Sequence, residues 1–364
     1  MSSVPVYTTS PKDLLWRAPA SGADTIFTWE YDDGRDKLLA LYEKGKAKQW
    51  NASTRIDWSA ELDADNPLGV PDHYLPLFGT PIWDKLDDKM RCAVKRHSAA
   101  WQMSQFLHGE QGALICTAKI VQTTPSIDAK FYAATQVVDE ARHVEVFKRY
   151  LHEKMQLAYP CNAHLAKLMQ QVVEDSRWDL TNLGMQVIIE GLALAAFQMI
   201  RDLATEPLAR SLTAYVMQDE ARHVAFGRLA LRDYYPQLTQ KERDEREEFV
   251  VEACFLMRDR FLGEEVWEHL DLGKECARYV DESLSMREFR KFLFSRIVPT
   301  IKDIGLFGPR VQRGFEQMGV LDFANTDVQA MSDADEAAGD AFDEQRLAAT
   351  AAHASEVIKL GAAE

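Results

Sequence analysis

Two hexapeptides in this chain are identical, Asp139-Glu140-Ala141-Arg142-His143-Val144 and Asp219-Glu220-Ala221-Arg222-His223-Val224, and they lie 80 residues apart. Each contains Glu-x-x-His, and on an α-helix positions i and i+3 share a face, so one carboxylate and one imidazole point the same way. Glu110 precedes Glu140 by 30 residues, and Glu190 precedes Glu220 by the same interval. Four carboxylates and two imidazoles in the order Glu, Glu-x-x-His, Glu, Glu-x-x-His are the donors that hold a pair of redox metals inside a four-helix bundle. One Glu-x-x-His alone is most often a surface pair; the doubled pattern is a different matter. Glu190 sits in Gly184 to Ile200, a stretch with no other charged residue. A carboxylate buried there needs a proton, a partner or a cation. Two divalent cations would satisfy all four carboxylates together.

The donor types narrow the metal. Hard carboxylates with neutral imidazoles suit iron, or manganese, better than zinc with its closed tetrahedral sites or magnesium with its all-oxygen shell. Such a pair leaves open coordination positions and suits two-electron chemistry with O2 as co-substrate, given an external electron donor. Asp139 and Asp219, next to Glu140 and Glu220, are candidates to accept the free ring N–H of a ligating histidine, each serving the opposite copy. Arg142 and Arg222 can neutralise those aspartates from outside. Residues a turn from the ligands are the candidate substrate cavity: Phe106, Ala113, Gln136, Phe147, Gln186, Ala193, Leu194, Val216, Phe226 and Gly227. Most are apolar or small, so an organic molecule would fit beside the metals. Gln136 and Gln186 are the polar exceptions, and hydrogen bonding within the bundle is their plainer use.

Helices must position these donors. The helical pattern starts near Trp83: Asp84 to Gln122 carries Glu110, and Ser126 with Asp128 opens a helix to about Met155 with the first Glu-x-x-His. A shorter helix covers His164 to Glu174. Asp179 or Thr181 caps the Glu190 helix, and Pro207 fits the first turn of the helix bearing the second Glu-x-x-His, which stops at Tyr234-Tyr235-Pro236. Two such pairs make an all-α bundle with pseudo-two-fold symmetry. Thr239 to His269 reads as one further helix, with shorter ones over Met286 to Ile301 and Gly308 to Gln317.

Three regions follow: 1–82 as an arm, a helix (Arg35 to Trp50) and a loop, 83–322 as the di-metal helical domain, and 323–364 as an acidic, Ala-rich tail. The tail reads as solvated, with one weak helix near its end. The loop Ile56 to Pro81 should be ordered by Trp58, Tyr74, Leu77 and Phe78.

The 364 residues carry a net charge of −15, which opposes a nucleic-acid partner. Five scattered cysteines without a Cys-x-x-Cys read as reduced thiols. With no signal-peptide pattern this suits a cytoplasmic protein. Gly184 to Ile200 is short for a membrane span and carries Gln186, Glu190 and Gln198, so a buried helix is expected and no membrane contact.

The doubled Asp-Glu-x-Arg-His with Glu110 and Glu190 resembles the ferritin-like di-iron oxygenase superfamily. The pattern is closest to the aminobenzoate N-oxygenase group, with the hydroxylase subunits of bacterial multicomponent monooxygenases behind it. Ile56-Asp57-Trp58 and Leu77-Phe78-Gly79-Thr80-Pro81-Ile82-Trp83-Asp84 resemble the segment that leads into the first ligand helix of the N-oxygenase group, so the likeness spans Ile56 to Tyr234. It implies a ferritin-like four-helix bundle, two iron ions on Glu110, Glu140, His143, Glu190, Glu220 and His223, and hydroxylation or N-oxygenation of a small or medium organic substrate. A reductase or ferredoxin would supply electrons, and a homodimer is expected. Arylamine N-oxygenases have a further histidine ligand where this chain has Val216. Multicomponent hydroxylases have a threonine at the position of Leu194, and ribonucleotide reductase small subunits a radical tyrosine at that of Phe147. The alternatives are a ferroxidase, a catalytically silent subunit and an acyl-carrier desaturase.

Overall fold

In the computed structural model of the protein, residues 22–28 and 35–361 are described; most of the expected N-terminal arm lies outside them. Chain order begins with α1 (Asp36–Ala47) and the single turn α2 (Ala52–Arg55). The bundle then opens with α3 (Asp88–Thr123), whose first turn is capped by Asp87 accepting from the Met90 N–H at 2.8 Å. Thr124 and Pro125 end it, and Ser126 caps α4 (Ile127–Arg149), which winds on as a π-helix over Tyr150–Met155. After α5 (Ala163–Glu174), α6 (Trp178–Asn182) runs through a second π-helical stretch, Leu183–Ile189, into α7 (Glu190–Leu203). Glu206 accepts from the Leu208 and Ala209 N–H groups at 3.0 and 2.6 Å, and Pro207 opens α8 (Pro207–Arg232).

The helices α3 and α4 pack as one pair, α7 and α8 as the other, and the four form a bundle. The expected all-α architecture built on a four-helix bundle is what the chain adopts, and no strand occurs among the described residues. The continuous helix Trp178–Leu203 is long and apolar enough to cross a membrane by composition, yet 83% of its apolar window is buried in the protein. It is a core helix of the bundle.

Several elements differ from the sequence reading. The helix expected over Thr239 to His269 is broken. A capping box of Thr239 and Glu242 starts α9 (Gln240–Asp259), but a 3-10 turn, Arg260–Leu262, and Gly263 at φ 63° interrupt it before α10 (Glu264–His269). Gly263 takes the left-handed backbone that a side chain would disfavour, and so redirects the chain. Then come α11 (Glu275–Glu282), not anticipated from the sequence, α12 (Leu284–Asp303) and α13 (Pro309–Gln317).

The segment beyond Asp322 is not the solvated tail expected; Val328–Gly361 forms one helix, α14, that lies along α8. Its acidic residues meet basic ones: Asp335 pairs with Arg296, Asp340 with Lys48 at 2.8 Å and Asp343 with Arg55 at 3.3 Å. Alanine-rich sequence has high helix propensity, and these partners seat it.

In the loop, Leu77 is buried and Trp58 half-buried, but Tyr74 and Phe78 are exposed and do not anchor it. All five cysteines are free thiols, and burial pushes those of Cys116 and Cys161 up to about 12.

Candidate metal centre

Each ligand helix brings one part of the site to the bundle axis. Glu110 on α3, Glu140 and His143 on α4, Glu190 on α7, and Glu220 and His223 on α8 are all buried. One donor atom each from Glu110, Glu140, His143 and Glu220 lies within 4.8 Å of the others; Glu140, Glu190 and His223 form a second such group. The six residues singled out from the sequence thus come together as two adjoining groups that share Glu140.

Both imidazoles turn Nδ1 toward the carboxylates. His143 Nδ1 lies 3.2 Å from Glu110 Oε2 and 3.1 Å from Glu220 Oε1. His223 Nδ1 lies 3.1 Å from Glu140 Oε1 and 3.5 Å from Glu220 Oε1. Glu140 and Glu220 therefore stand between the imidazoles, with Glu110 and Glu190 at the two ends.

The Nε2 atoms face away and meet aspartates across the bundle. His143 Nε2 is 3.1 Å from Asp219 Oδ2, and His223 Nε2 is 3.3 Å from Asp139 Oδ2. Such a contact fixes the tautomer and leaves Nδ1 free as a metal donor. Arg142 pairs with both Asp139 and Asp219, and Arg222 pairs with Asp219 and lies 3.7 Å from Asp139. Two residues not foreseen complete this layer: Gln49 donates to Asp139 at 2.7 Å, and Trp50 Nε1 donates to Asp219 at 2.8 Å. They follow α1, far in sequence from the repeats, and no spacing signal marks them.

Metal ions fit this set by two observations. The first is unmet hydrogen bonding: Glu140 Oε2, Glu190 Oε2, both Glu220 oxygens and His223 Nδ1 are buried without a hydrogen-bond partner, a costly state that a cation relieves. The second is charge. Six buried carboxylates, Glu110, Glu140, Glu190, Glu220, Asp139 and Asp219, face the two buried guanidinium groups of Arg142 and Arg222, and two divalent cations would balance the rest.

Without them, protons do so. Burial and the nearby Glu220 push Glu110 and Glu190 well above the usual carboxylate range. Burial also works against charge on the imidazoles. The hydrogen bond that His143 donates to Asp219, and the carboxylates of Glu140 and Glu220 beside His223, outweigh it and raise both. Burial opposes ionisation of Glu140 as well, but His223 and His143 hold it below the usual range.

Residues 32–305 match the family of the P-aminobenzoate N-oxygenase AurF. The chain belongs to that family. Membership makes it an oxidoreductase of the oxygenase type. No curated protein matches the chain. Among solved structures it is similar to a variant of an R2-like ligand-binding oxidase with an anaerobically reconstituted Mn/Fe cofactor, at 19% identity and TM-score 0.46, covering 77% of this chain and 96% of that one. It is also similar to a Synechococcus protein described as having aldehyde deformylating oxidase activity, at 17% identity and TM-score 0.45, covering 61% and 96%.

In this AurF-family chain a cavity of about 20 Å³ adjoins Glu110, Glu190 and Glu220, room for about one or two waters. Of the ten cavity candidates, Phe106, Ala113 and Ala193 line it, joined by Gln105, Gly109, Ile189 and Arg260, which the sequence did not point to. The others do not. Gln136 donates to Glu140, Gln186 and Glu190 at 2.8, 2.9 and 3.1 Å, so it orients two ligands within the bundle. Gln186 in turn donates to Thr117 at 3.3 Å.

Phe147 stacks with Phe197, 5.7 Å between ring centroids, behind Phe106. Phe226 packs on Tyr132, and Val216 is fully buried in the core. Gly227 presses on Gln186, while Leu194 faces a separate cavity under α14. Spacing along one helix placed these seven a turn from a ligand, but which side of the bundle they face depends on the helix crossings and the π-helical winding.

Proposed function

We propose that this protein is a di-iron, or manganese–iron, oxygenase that uses O2 to oxygenate a small or medium organic substrate, by N-oxygenation or hydroxylation. The observation that carries the reading is the buried set of four glutamates and two histidines with unpartnered oxygens, beside a largely apolar cavity. Glu110, Glu140, His143, Glu190, Glu220 and His223 would hold two metal ions, which supply the electrons for dioxygen reduction when bound. Asp139 and Asp219 keep the imidazoles in the Nδ1-donor tautomer, and Gln136 orients Glu140 and Glu190. Phe106 and Ile189 in the cavity wall limit water beside the donors. Re-reduction requires an external donor, for which a reductase or ferredoxin is the proposed partner. Val216 stands where arylamine N-oxygenases have another histidine, so the proposed donor set stops at six.

The small cavity favours one competing reading, a ferroxidase whose substrate is iron itself. Titration of anaerobic apo protein with Fe(II), followed by O2, separates the two. Oxygen uptake that stops near two irons per chain, and is lost in Glu140→Ala and His223→Ala variants of unchanged helical content, supports the oxygenase. Uptake that continues in proportion to added iron makes the protein an iron oxidiser.

A further inference from the structure

The helix α14 lies outside the part of the chain that matches the family, which ends at residue 305, and it is held on the molecule by charge. Among its described side chains none is buried. Beneath it runs a cavity of about 20 Å³, with Val328 and Met331 on one side and Leu194, Val224 and Thr300 on the other. Near its start Asp335 pairs with Arg296, and both are largely buried. Beyond Asp335 the pairs are more exposed: Glu336 with Lys44, Asp340 with Lys48 at 2.8 Å and Asp343 with Arg55 at 3.3 Å. Such pairs contribute little each and weaken with salt, so this part of the helix costs little to lift.

What it covers runs against the charge of the chain. The sequence has a net charge of −15, yet Lys44 to Ile56 contains four cations and no anion. One of them, Lys46, pairs with Glu43 of its own helix. The carboxylate partners of Lys44, Lys48 and Arg55 among the described residues are all on α14. This basic strip is close to the metal centre. Trp50, two residues after Lys48, reaches His143 through Asp219 by contacts of 2.8 and 3.1 Å. The Trp50 ring lies 5.3 Å from that of Tyr215, and Phe342 of α14 closes over Tyr215 edge-on at 5.5 Å.

We infer that α14 beyond Asp335 is a displaceable cover over a docking surface, built from Lys44, Lys48 and Arg55, for an acidic electron-carrier protein of the ferredoxin type. The acidic face of α14 occupies the place that the carrier's carboxylates take, so the free protein is closed by its own chain. Complementary charge steers such an encounter and fixes its register, and the uncovered strip gives an acidic protein a local attraction on a molecule of net negative charge. When the cover lifts, Arg296 keeps its hydrogen bond to Gln198, so the buried end of the contact stays satisfied. The choice of an electron carrier rests on the oxygenase reading, which needs an external donor; the cover and its displacement by an acidic protein do not.

The test is binding of oxidised plant-type 2Fe–2S ferredoxin, an acidic carrier, to Mn(II)-loaded full-length protein at low salt, with amide hydrogen exchange followed in the same samples. Wild type is compared with two variants. In the first, Glu336→Gln, Asp340→Asn and Asp343→Asn together unlatch α14 and leave the strip intact. In the second, Lys44→Gln, Lys48→Gln and Arg55→Gln together unlatch α14 and remove the strip. Exchange in α14 should rise in both variants, and in wild type when ferredoxin is added, while α3 and α4 stay protected. The first variant should bind ferredoxin roughly tenfold more tightly than wild type, because three exposed pairs no longer have to be broken, and the second should not bind. Equal affinity in wild type and the first variant, binding retained in the second, or no binding by any of the three overturns the docking surface. Unchanged α14 exchange in the first variant overturns the cover. Strip-dependent ferredoxin binding by a protein whose only O2 chemistry is iron oxidation would leave the surface standing and overturn the oxygenase reading. Oxygen uptake that stops near two irons per chain, without ferredoxin binding, would do the reverse.

Discussion

Four residues of the centre hold protons that a metal pair would displace. Glu110 and Glu190 are raised by burial and by neighbouring glutamates, and His143 and His223 by the carboxylates around them. For all four the folded value lies above the unfolded one. Their contribution to the stability of the metal-free protein is therefore complete below the ordinary values, 4.5 for glutamate and 6.5 for histidine, and is lost as pH rises through the raised values. Metal ions take over where the protons leave. The melting increment given by Fe(II) under anaerobic conditions should therefore grow from about pH 6 to about pH 8, with proton release on loading. An increment that shrinks over that interval would mean the six donors do not bind the metals together.

At the scale of elements, the π-helical stretch Leu183–Ile189 shapes the centre most. It leads directly into Glu190 and presents Gln186 to Gln136, which itself holds Glu140 and Glu190. The α8 helix approaches this stretch so closely that a Cβ at Gly227 would lie 2.5 Å from Gln186 Cβ and 3.1 Å from Asn182 Oδ1. The nearer of the two is a Cβ fixed to its own backbone, so a methyl group there forces the helices apart. Gly227→Ala should destabilise by about 1–3 kcal/mol, read from the urea midpoint. Because the Gln136 to Glu190 hydrogen bond depends on that approach, metal affinity should fall as well. A fully stable Gly227→Ala would show that the contact is looser than it looks.

For the whole molecule, the bundle is enclosed by elements from both ends of the chain. Gln49 and Trp50, after α1, close the aspartate layer from one side, and Arg142 lies over the Trp50 ring at 4.7 Å. From the C-terminal side α14 covers α8, and its acidic residues reach Lys44 of α1, Arg55 of α2 and Arg296 of α12. A chain ending at residue 327 should melt at a lower temperature, since α8 loses its cover. It should still bind two metals per chain, because no ligand and no aspartate partner lies in α14. Loss of metal uptake in that truncation would place part of the site's support in the tail.

How much of this is legible in the sequence depends on the range of the interactions. The six donors and the helices that carry them are local facts: Glu-x-x-His on one helical face, an equal interval to each lone glutamate, and caps such as Ser126, Pro207 and Thr239 need only helical geometry. Even the aspartates adjacent to Glu140 and Glu220 could be assigned a use from their position in the repeat. The tail was misread because its charges look solvated until Lys48, Arg55 and Arg296 arrive from other elements to pair with them. The cavity wall was misread for the same reason. A turn's distance along one helix does not say which neighbouring helix a side chain meets, and the π-helical winding shifts that face. Only the tertiary structure brings Gln49, Trp50 and Arg260 to the centre, because their sequence separation from the ligands is bridged by packing rather than by any repeat.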